Sequence, residues 1–271
     1  MTEEPDPMTA AAIPALRTQV HHARELFATL TPEEWSRPSG CDGWRVQDVA
    51  QHMAAVFQQI ADPASIDMGD SGRAEAAAEV PVADRRDWAV EQVLAAYDEW
   101  SEKGVTALAA LQEPPMADAV VPLSDLGTHP LHLLGNAIVF DHYCHLRHDL
   151  GVAIDRAAQL PREHDALTAT REWMLAGLPQ MCETALAAAD QQPVNLVFDG
   201  PGGGSFLLAP GVDGWTVAEG SDPDAPTATS TVHDFVSWGT KRANWRDVVE
   251  VDVGAARYPS VAGVLDAIDV I

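Results

Sequence analysis

Residues 128–149, THPLHLLGNAIVFDHYCHLRHD, decide how the chain is organised. Their apolar residues recur at helical intervals, yet Asp141, His142, His145 and His148 lie within eight residues of one another. Residues four apart share one face of a helix, so Asp141 and His145 are neighbours one turn apart. That face carries the apolar stripe that should point towards the core. A buried carboxylate and a buried imidazole each need a partner, and a divalent cation satisfies both.

A third metal ligand has to come from another helix. Residues 35–44, WSRPSGCDGW, form a turn rich in Pro, Gly and Asp that leads into an amphipathic helix. His52 lies on the apolar side of that helix. We therefore predict a metal site formed by His52, Asp141 and His145. Any one of these histidines, taken alone, could instead be an ordinary core side chain that forms hydrogen bonds. The clustering of several such residues favours a metal site over that alternative.

The composition places the chain among globular proteins. Hydrophobic residues make up 46% and charged residues 21% of the 271 residues, so a sizeable core and two domains are expected. The formal net charge of −25 argues against nucleic acid as a partner, because there is no basic surface to displace phosphate counterions. The same charge argues against binding to an anionic membrane.

The cysteines and the N-terminus both predict a cytoplasmic protein. Cys41, Cys144 and Cys182 form neither an even disulfide framework nor a C-x-x-C pair, which indicates reduced thiols. The acidic N-terminus lacks the basic, apolar and small-residue order of a signal peptide. No apolar run reaches the ~20 residues that a transmembrane helix needs.

The periodic stretches of the first 190 residues predict an antiparallel four-helix bundle. Helices are expected over residues 8–30, from Trp44 to about Ile60, and over 84–111, 128–149 and 162–189. Residues 63–83 show no clear period and predict a connection. Thr128 is the expected N-cap of the helix that carries Asp141 and His145. The first domain is thus predicted to span residues 1–190.

Residues 191–271 predict a small α/β (α+β) domain. VNLVFDG, SFLLAPG, DGWTVAEG and TATSTV are short runs bounded by turn residues, and each predicts a strand. A helix over 233–239, then VVEVDVG and VAGVLDAIDVI, complete the domain. The three glycines at 202–204 lack a following Lys-Ser/Thr, so they predict a hairpin turn rather than a phosphate loop.

Two motifs resemble a known family. WSRPSGCDGWRVQDVAQHMA and, about ninety residues later, FDHYCHLRHDLG resemble the actinobacterial branch of the DinB superfamily, in particular the mycothiol-dependent maleylpyruvate isomerase family. WGTKRANWRD, VDVG and VLDAIDVI are similar to the small second domain of that family. The resemblance implies a DinB-like bundle with His52, Asp141 and His145 as metal ligands. This chain departs from its relatives in having Asp141 where many have Glu, and His148 where many have Asp.

The resemblance implies thiol-dependent chemistry, with mycothiol as cosubstrate for isomerisation or S-transfer on a small, carboxylate-bearing electrophile. We expect Zn²⁺ as the metal, although two histidines and an aspartate also accept Ni²⁺, Fe²⁺ or Mn²⁺. His148 is predicted as a catalytic group, and the roles of general base, fourth ligand and outer partner stay open. Arg242 is the candidate for holding a substrate carboxylate, with an ordinary exposed arginine as the alternative.

Two other classes of function stay open on the sequence. One is a hydrolase that activates water on the same three ligands, which would turn over without an added thiol. The other is a non-catalytic protein that binds a metal or a small molecule. In such a protein, loss of His52 would lower the stability without removing any reaction. A monomer and a homodimer are both compatible with the sequence.

Overall fold

The computed structural model describes residues 12–69 and 71–270. Its contacts divide the chain into two compact units, Met1–Pro161 and Arg162–Ile271. The first is helical apart from a two-stranded hairpin, and the second holds a five-stranded sheet with helices. This helix-rich chain with a sheet-containing C-terminal part is the α+β fold that the sequence predicts. Within the described residues, no helix combines the length and the apolar character needed to cross a bilayer.

The helices of the first unit follow the apolar periodicity of its sequence. They are α1 (Ala12–Ala28), α2 (Pro32–Trp35), α3 (Val46–Ala61), α4 (Ala74–Asp84), α5 (Val90–Ala110), α6 (Leu133–Cys144) and α7 (Asp155–Ala158). Helix α3 packs on α4 and α5, and α1 packs on α5 and α6. Val46, Val49, Met53 and Phe57 of α3 are all fully buried, and their spacing of three or four residues makes one inward stripe. The first residues of the predicted helix 8–30 lie outside the described residues.

Two segments of the first unit differ from the sequence prediction. Helix α4 occupies the second half of the expected connection 63–83 and ends one residue beyond it, at Asp84. Of its residues only Ala78, Pro81 and Val82 are buried, so its sequence has no apolar stripe that would predict a helix. Thr128 caps no helix. It belongs to strand β2 (Thr128–Pro130), which pairs antiparallel with β1 (Val120–Pro122).

The end of α6 departs from regular α-helical geometry. Residues His145–Asp149 form a π-helical turn, and the N–H of Leu150 donates to the carbonyl oxygen of His145, five residues back. A short 3₁₀ turn, Leu150–Val152, follows. Single π turns inside helices are rare and are frequently found at functional sites. The predicted helical stretch therefore reaches Asp149, but its last turn is wider than expected.

The second unit is built on a mixed sheet. Its strands are β3 (Val194–Asp199), β4 (Gly204–Gly211), β5 (Gly214–Glu219), β6 (Thr227–Thr231) and β7 (Glu250–Asp252), in the order β5-β4-β3-β6-β7. Strands β3 and β6 are parallel and the other neighbours are antiparallel. The glycines after β3 make a hairpin turn as predicted, with Gly200 and Gly202 at positive φ.

Four helices complete the second unit: α8 (His164–Met181), α9 (Glu183–Ala188), α10 (Val232–Gly239) and α11 (Tyr258–Ala267). The sequence places the domain boundary after residue 190, whereas the contacts divide the chain after Pro161. The difference arises because α8 and α9 pack on β5, and α8 packs on α10. Helical periodicity shows that a segment has an apolar face but does not show which neighbour covers it.

Candidate metal centre

The three predicted ligands come together between α3 and the end of α6. The Nε2 atom of His52 lies 3.1 Å from Oδ1 of Asp141, and Nε2 of His145 lies 3.4 Å from the same oxygen. One potential ligand atom from each side chain lies within 4.8 Å of the other two. The two imidazole rings stand nearly perpendicular, with centroids 4.8 Å apart. Two imidazoles and a carboxylate are a donor set that Zn²⁺ and related divalent metals bind.

Burial leaves polar atoms of this group without partners. The side chains of His52, Asp141 and His145 are only 10%, 18% and 12% exposed. Among the residues that the structure describes, neither the buried Nδ1 of His52 nor the buried Oδ2 of Asp141 has a hydrogen-bond partner. Oδ2 lies 3.3 Å from Nδ1 of His142, but that nitrogen donates to the carbonyl oxygen of Ile138. A cation held by the Asp141 carboxylate would offset the desolvation of that oxygen.

The charges of the three groups depend on one another. Burial raises the pKa of Asp141, but the positive charges of His145 and His52 outweigh it and hold that pKa well below its usual value. Burial lowers the pKa of His145, but Asp141, with smaller help from Asp149, outweighs it and raises that pKa well above the usual value. For His52 burial dominates, and its pKa is lowered. A proton on His145 thus balances Asp141, and a divalent cation would take over that role.

Asp149 is a site residue that the sequence reasoning did not assign. Its Oδ2 lies 2.7 Å from Nδ1 of His145, on the side of the ring opposite Nε2, and Asp149 is only 1% exposed. Asp149 follows His145 by four residues, the same spacing that predicts Asp141 beside His145, so this spacing also indicates that Asp149 lies beside His145. Cys41 is a second neighbour, with Sγ 3.9 Å from the same Nδ1.

Trp44 forms part of the surroundings of His52. The two ring centroids are 5.3 Å apart. The indole Nε1 donates to Oε2 of Glu79 on α4 over 2.6 Å, and Glu79 also forms an ion pair with Arg86. Helix α4, which the sequence did not predict, therefore fixes an aromatic side chain beside the proposed ligands.

The structure does not bring His148 into the ligand cluster. Among the described residues, the groups able to hold a metal comprise His52, Asp141 and His145, or Cys41, His145 and Asp149. The ring of His148 lies 6.4 Å from that of Tyr143, between centroids. A catalytic role for His148 stays a prediction.

Arg242 belongs to the second unit, just after α10. It is exposed and lines a cavity of about 320 Å³, whose other lining residues include Trp238, Lys241, Asn244, Trp245 and Asp266. The ammonium of Lys241 donates to the carbonyl oxygen of Asp266 over 2.8 Å. The cavity therefore carries the positive charges of Lys241 and Arg242 and the negative charge of Asp266. Carboxylate binding by Arg242 stays a prediction.

Comparisons with known proteins bear on the fold and the family. A crystal structure of the mycothiol-dependent maleylpyruvate isomerase matches with a TM-score of 0.56 and 15% identity, covering 91% of this chain and 95% of that one. A histidine-to-alanine mutant of that isomerase matches with a TM-score of 0.54 and the same identity and coverage. At 15% identity, these likenesses show a shared fold. No curated protein matches the sequence of this chain.

A family model supplies the sequence-level evidence. Residues 16–150 match the model described as the mycothiol maleylpyruvate isomerase N-terminal domain. The matched range includes His52, Asp141, His145 and Asp149, and it ends at Leu150, directly after the π turn. Through this N-terminal part, the chain belongs to the mycothiol maleylpyruvate isomerase N-terminal domain family.

Proposed function

We propose that this chain is a cytoplasmic, divalent-metal-dependent enzyme that uses mycothiol as cosubstrate for isomerisation or S-transfer on a small, carboxylate-bearing electrophile. The observation that carries the proposal is the convergence of His52, Asp141 and His145 within 4.8 Å. The thiol is proposed because both solved relatives are named as mycothiol-dependent maleylpyruvate isomerases. We further propose that α1, α3, α5 and α6 form the DinB-type antiparallel four-helix bundle.

Each ligand has a definite part in this proposal. His52 and His145 hold the cation through Nε2, and Asp141 holds it through its carboxylate. Three protein ligands leave at least one position for substrate, as catalytic zinc sites do. When bound, the cation lowers the pKa of a thiol beside it and so supplies a thiolate at neutral pH. Zn²⁺ is the proposed metal, and the donor set also accepts Ni²⁺, Fe²⁺ or Mn²⁺.

Two further residues complete the proposal. Arg242 is our candidate for binding the substrate carboxylate, because a guanidinium donates two parallel hydrogen bonds to it. His148 is our candidate for moving a proton during the reaction, since an imidazole titrates near neutral pH. The active species is a monomer or a homodimer.

The experiment follows the visible spectrum of the Co²⁺-substituted protein while mycothiol is added. We expect a sulfur-to-cobalt charge-transfer band in the wild type and in His21→Ala, a control whose side chain is 64% exposed. We expect no such band in His52→Ala. A wild-type protein that binds Co²⁺ without forming the band would overturn the thiol-dependent function. Turnover of an electrophilic ester without any thiol would indicate a hydrolase instead of a thiol-dependent enzyme.

A further inference from the structure

His145 lies between two carboxylates, and only one of them faces the proposed metal. Asp141, four residues before it, approaches Nε2 at 3.4 Å. Asp149, four residues after it, approaches Nδ1 at 2.7 Å. The two ring nitrogens of a neutral imidazole are distinct, because one carries the proton while the other keeps a lone pair. The short contact with Asp149 is therefore the one that decides which nitrogen is free to bind a metal.

We propose that Asp149 is a positioning residue for the metal centre. Its carboxylate accepts the Nδ1–H hydrogen bond of His145, which keeps the Nε2 lone pair directed at His52 and Asp141. This inference rests on the metal-dependent function proposed above. Carboxylates that hold the outer nitrogen of a ligating histidine fix its tautomer and orientation, and they raise its basicity as a ligand.

The fold holds Asp149 itself in place. The N–H of Gly40, in the turn that precedes α3, donates to the carbonyl oxygen of Asp149 over 2.9 Å. A Cβ atom at Gly40 would lie 3.0 Å from Oδ1 of Asp149 and 3.0 Å from its Cα. Glycine is needed there for space, since any larger residue would press on the carboxylate. Gly40 thus lies directly against Asp149 and binds its backbone.

Cys41 is the competing partner for the same ring nitrogen. Its Sγ lies 3.9 Å from Nδ1 of His145, whereas Oδ2 of Asp149 lies at 2.7 Å. Hydrogen bonds to an ionised acceptor are short and about twice as strong as neutral ones, and a thiol is a weak partner. The geometry therefore assigns Asp149, and not Cys41, as the acceptor of the Nδ1–H hydrogen bond of His145. Cys41→Ser is the comparison variant, because it changes the other neighbour of the same nitrogen and leaves Asp149 in place.

The test measures the Zn²⁺ dissociation constant by chelator competition for wild type, Asp149→Asn, Asp149→Ala and Cys41→Ser. Removing such an outer partner typically weakens metal binding by about 10–100-fold, and we expect that loss in Asp149→Ala and a smaller one in the isosteric Asp149→Asn. Because Cys41, His145 and Asp149 are themselves a group able to hold a metal, Cys41→Ser separates two roles of Asp149. We expect Cys41→Ser to keep the Zn²⁺ affinity of the wild type, and a loss as large as that of Asp149→Ala would overturn the positioning role by indicating that Asp149 and Cys41 bind the metal directly. Thermal unfolding of the metal-free proteins separates a lost fold from a lost ligand orientation.

A second readout follows the proton directly. In ¹⁵N-histidine-labelled, zinc-loaded protein, long-range ¹H–¹⁵N spectra should show His145 protonated on Nδ1, and Asp149→Asn should weaken or move that signal. Unchanged Zn²⁺ affinity and an unchanged signal in both Asp149 variants would overturn the positioning role alone. A wild-type protein that binds no Zn²⁺ would overturn the proposed function as well, so the two failures are distinguishable.

Discussion

Replacing Tyr97 by phenylalanine should destabilise the first unit through a single buried hydrogen bond. The hydroxyl of Tyr97 lies 3.1 Å from Nε2 of His142, and the two residues are 1% and 0% exposed. Nδ1 of His142 lies 3.1 Å from the carbonyl oxygen of Ile138, which only accepts, so Nδ1 carries the proton. In the neutral ring Nε2 then accepts from Tyr97, and Tyr97→Phe leaves it buried without that donor.

The magnitude follows from that geometry. The Tyr97 ring keeps its edge-to-face contact with Phe27, at 5.3 Å between centroids, so little packing is lost. A buried acceptor without its partner costs about 1–3 kcal/mol of the free energy of unfolding. A domain of this size loses about 2–4 °C in Tm per kcal/mol, so the expected decrease in Tm is about 2–12 °C.

Equilibrium urea unfolding of the metal-free protein measures the effect. We expect a lower midpoint with an unchanged slope, since the amount of surface exposed on unfolding stays the same. Tyr258→Phe is the matched control, because Tyr258 is 41% exposed. A Tyr97→Phe change no larger than that of the control would refute the reasoning, and it would show that the two side chains do not form the hydrogen bond.

Three further predictions concern packing, thiol reactivity and pH. Gly104→Ala should destabilise the protein, because a Cβ would lie 3.0 Å from Cβ of the fully buried Phe57 and closer still to its ring. Overpacking costs about 1–3 kcal/mol, which exceeds the ~1 kcal/mol that alanine gains in helix propensity. Urea unfolding measures the expected decrease in the free energy of unfolding. Cys182 should not react with a thiol reagent until the protein unfolds, because burial raises the pKa of its thiol to about 11. Labelling followed by mass spectrometry tests this, and labelling of Cys182 in the native protein would contradict it. The side-chain hydrogen bond from Arg156 lowers the pKa of Glu34 to about 2, so the ionised Glu34 stabilises the protein above pH 4.5, and this stabilisation is lost as the pH falls towards 2. Glu34→Gln should therefore reduce the dependence of the free energy of unfolding on pH between 4.5 and 2. An unchanged pH dependence would argue against the ion pair.

Local patterns in the sequence predict many of the helices and strands of this structure. Helix α3 follows from its apolar spacing, and β3 to β6 follow from short runs bounded by turn residues. The spacing of four residues between Asp141 and His145, together with the inner position of His52, selected three side chains that the structure places within 4.8 Å of one another. Their role as metal ligands stays a prediction.

Tertiary contacts account for what the sequence did not predict. Helix α4 buries too few side chains to leave a periodic signal, and it is held by packing on α3. Thr128 is followed by residues compatible with a helix, but the chain pairs with Val120–Pro122 before the helix begins. The hydrogen bond from His145 to Asp149 lies within a π turn, and no local propensity encodes that turn. The unit to which α8 belongs depends on contacts with β5 and α10.

The most direct measurement is the metal content of the purified, untagged protein by elemental analysis, for wild type, His52→Ala, His145→Ala and the exposed control His21→Ala. A bound cation held by two imidazoles and Asp141 requires both histidines, so we expect near-stoichiometric divalent metal in the wild type and the control. Both site variants should lose it while keeping the fold. A wild-type protein without metal, even after incubation with Zn²⁺, or site variants that keep it, would contradict a metal centre at His52, Asp141 and His145.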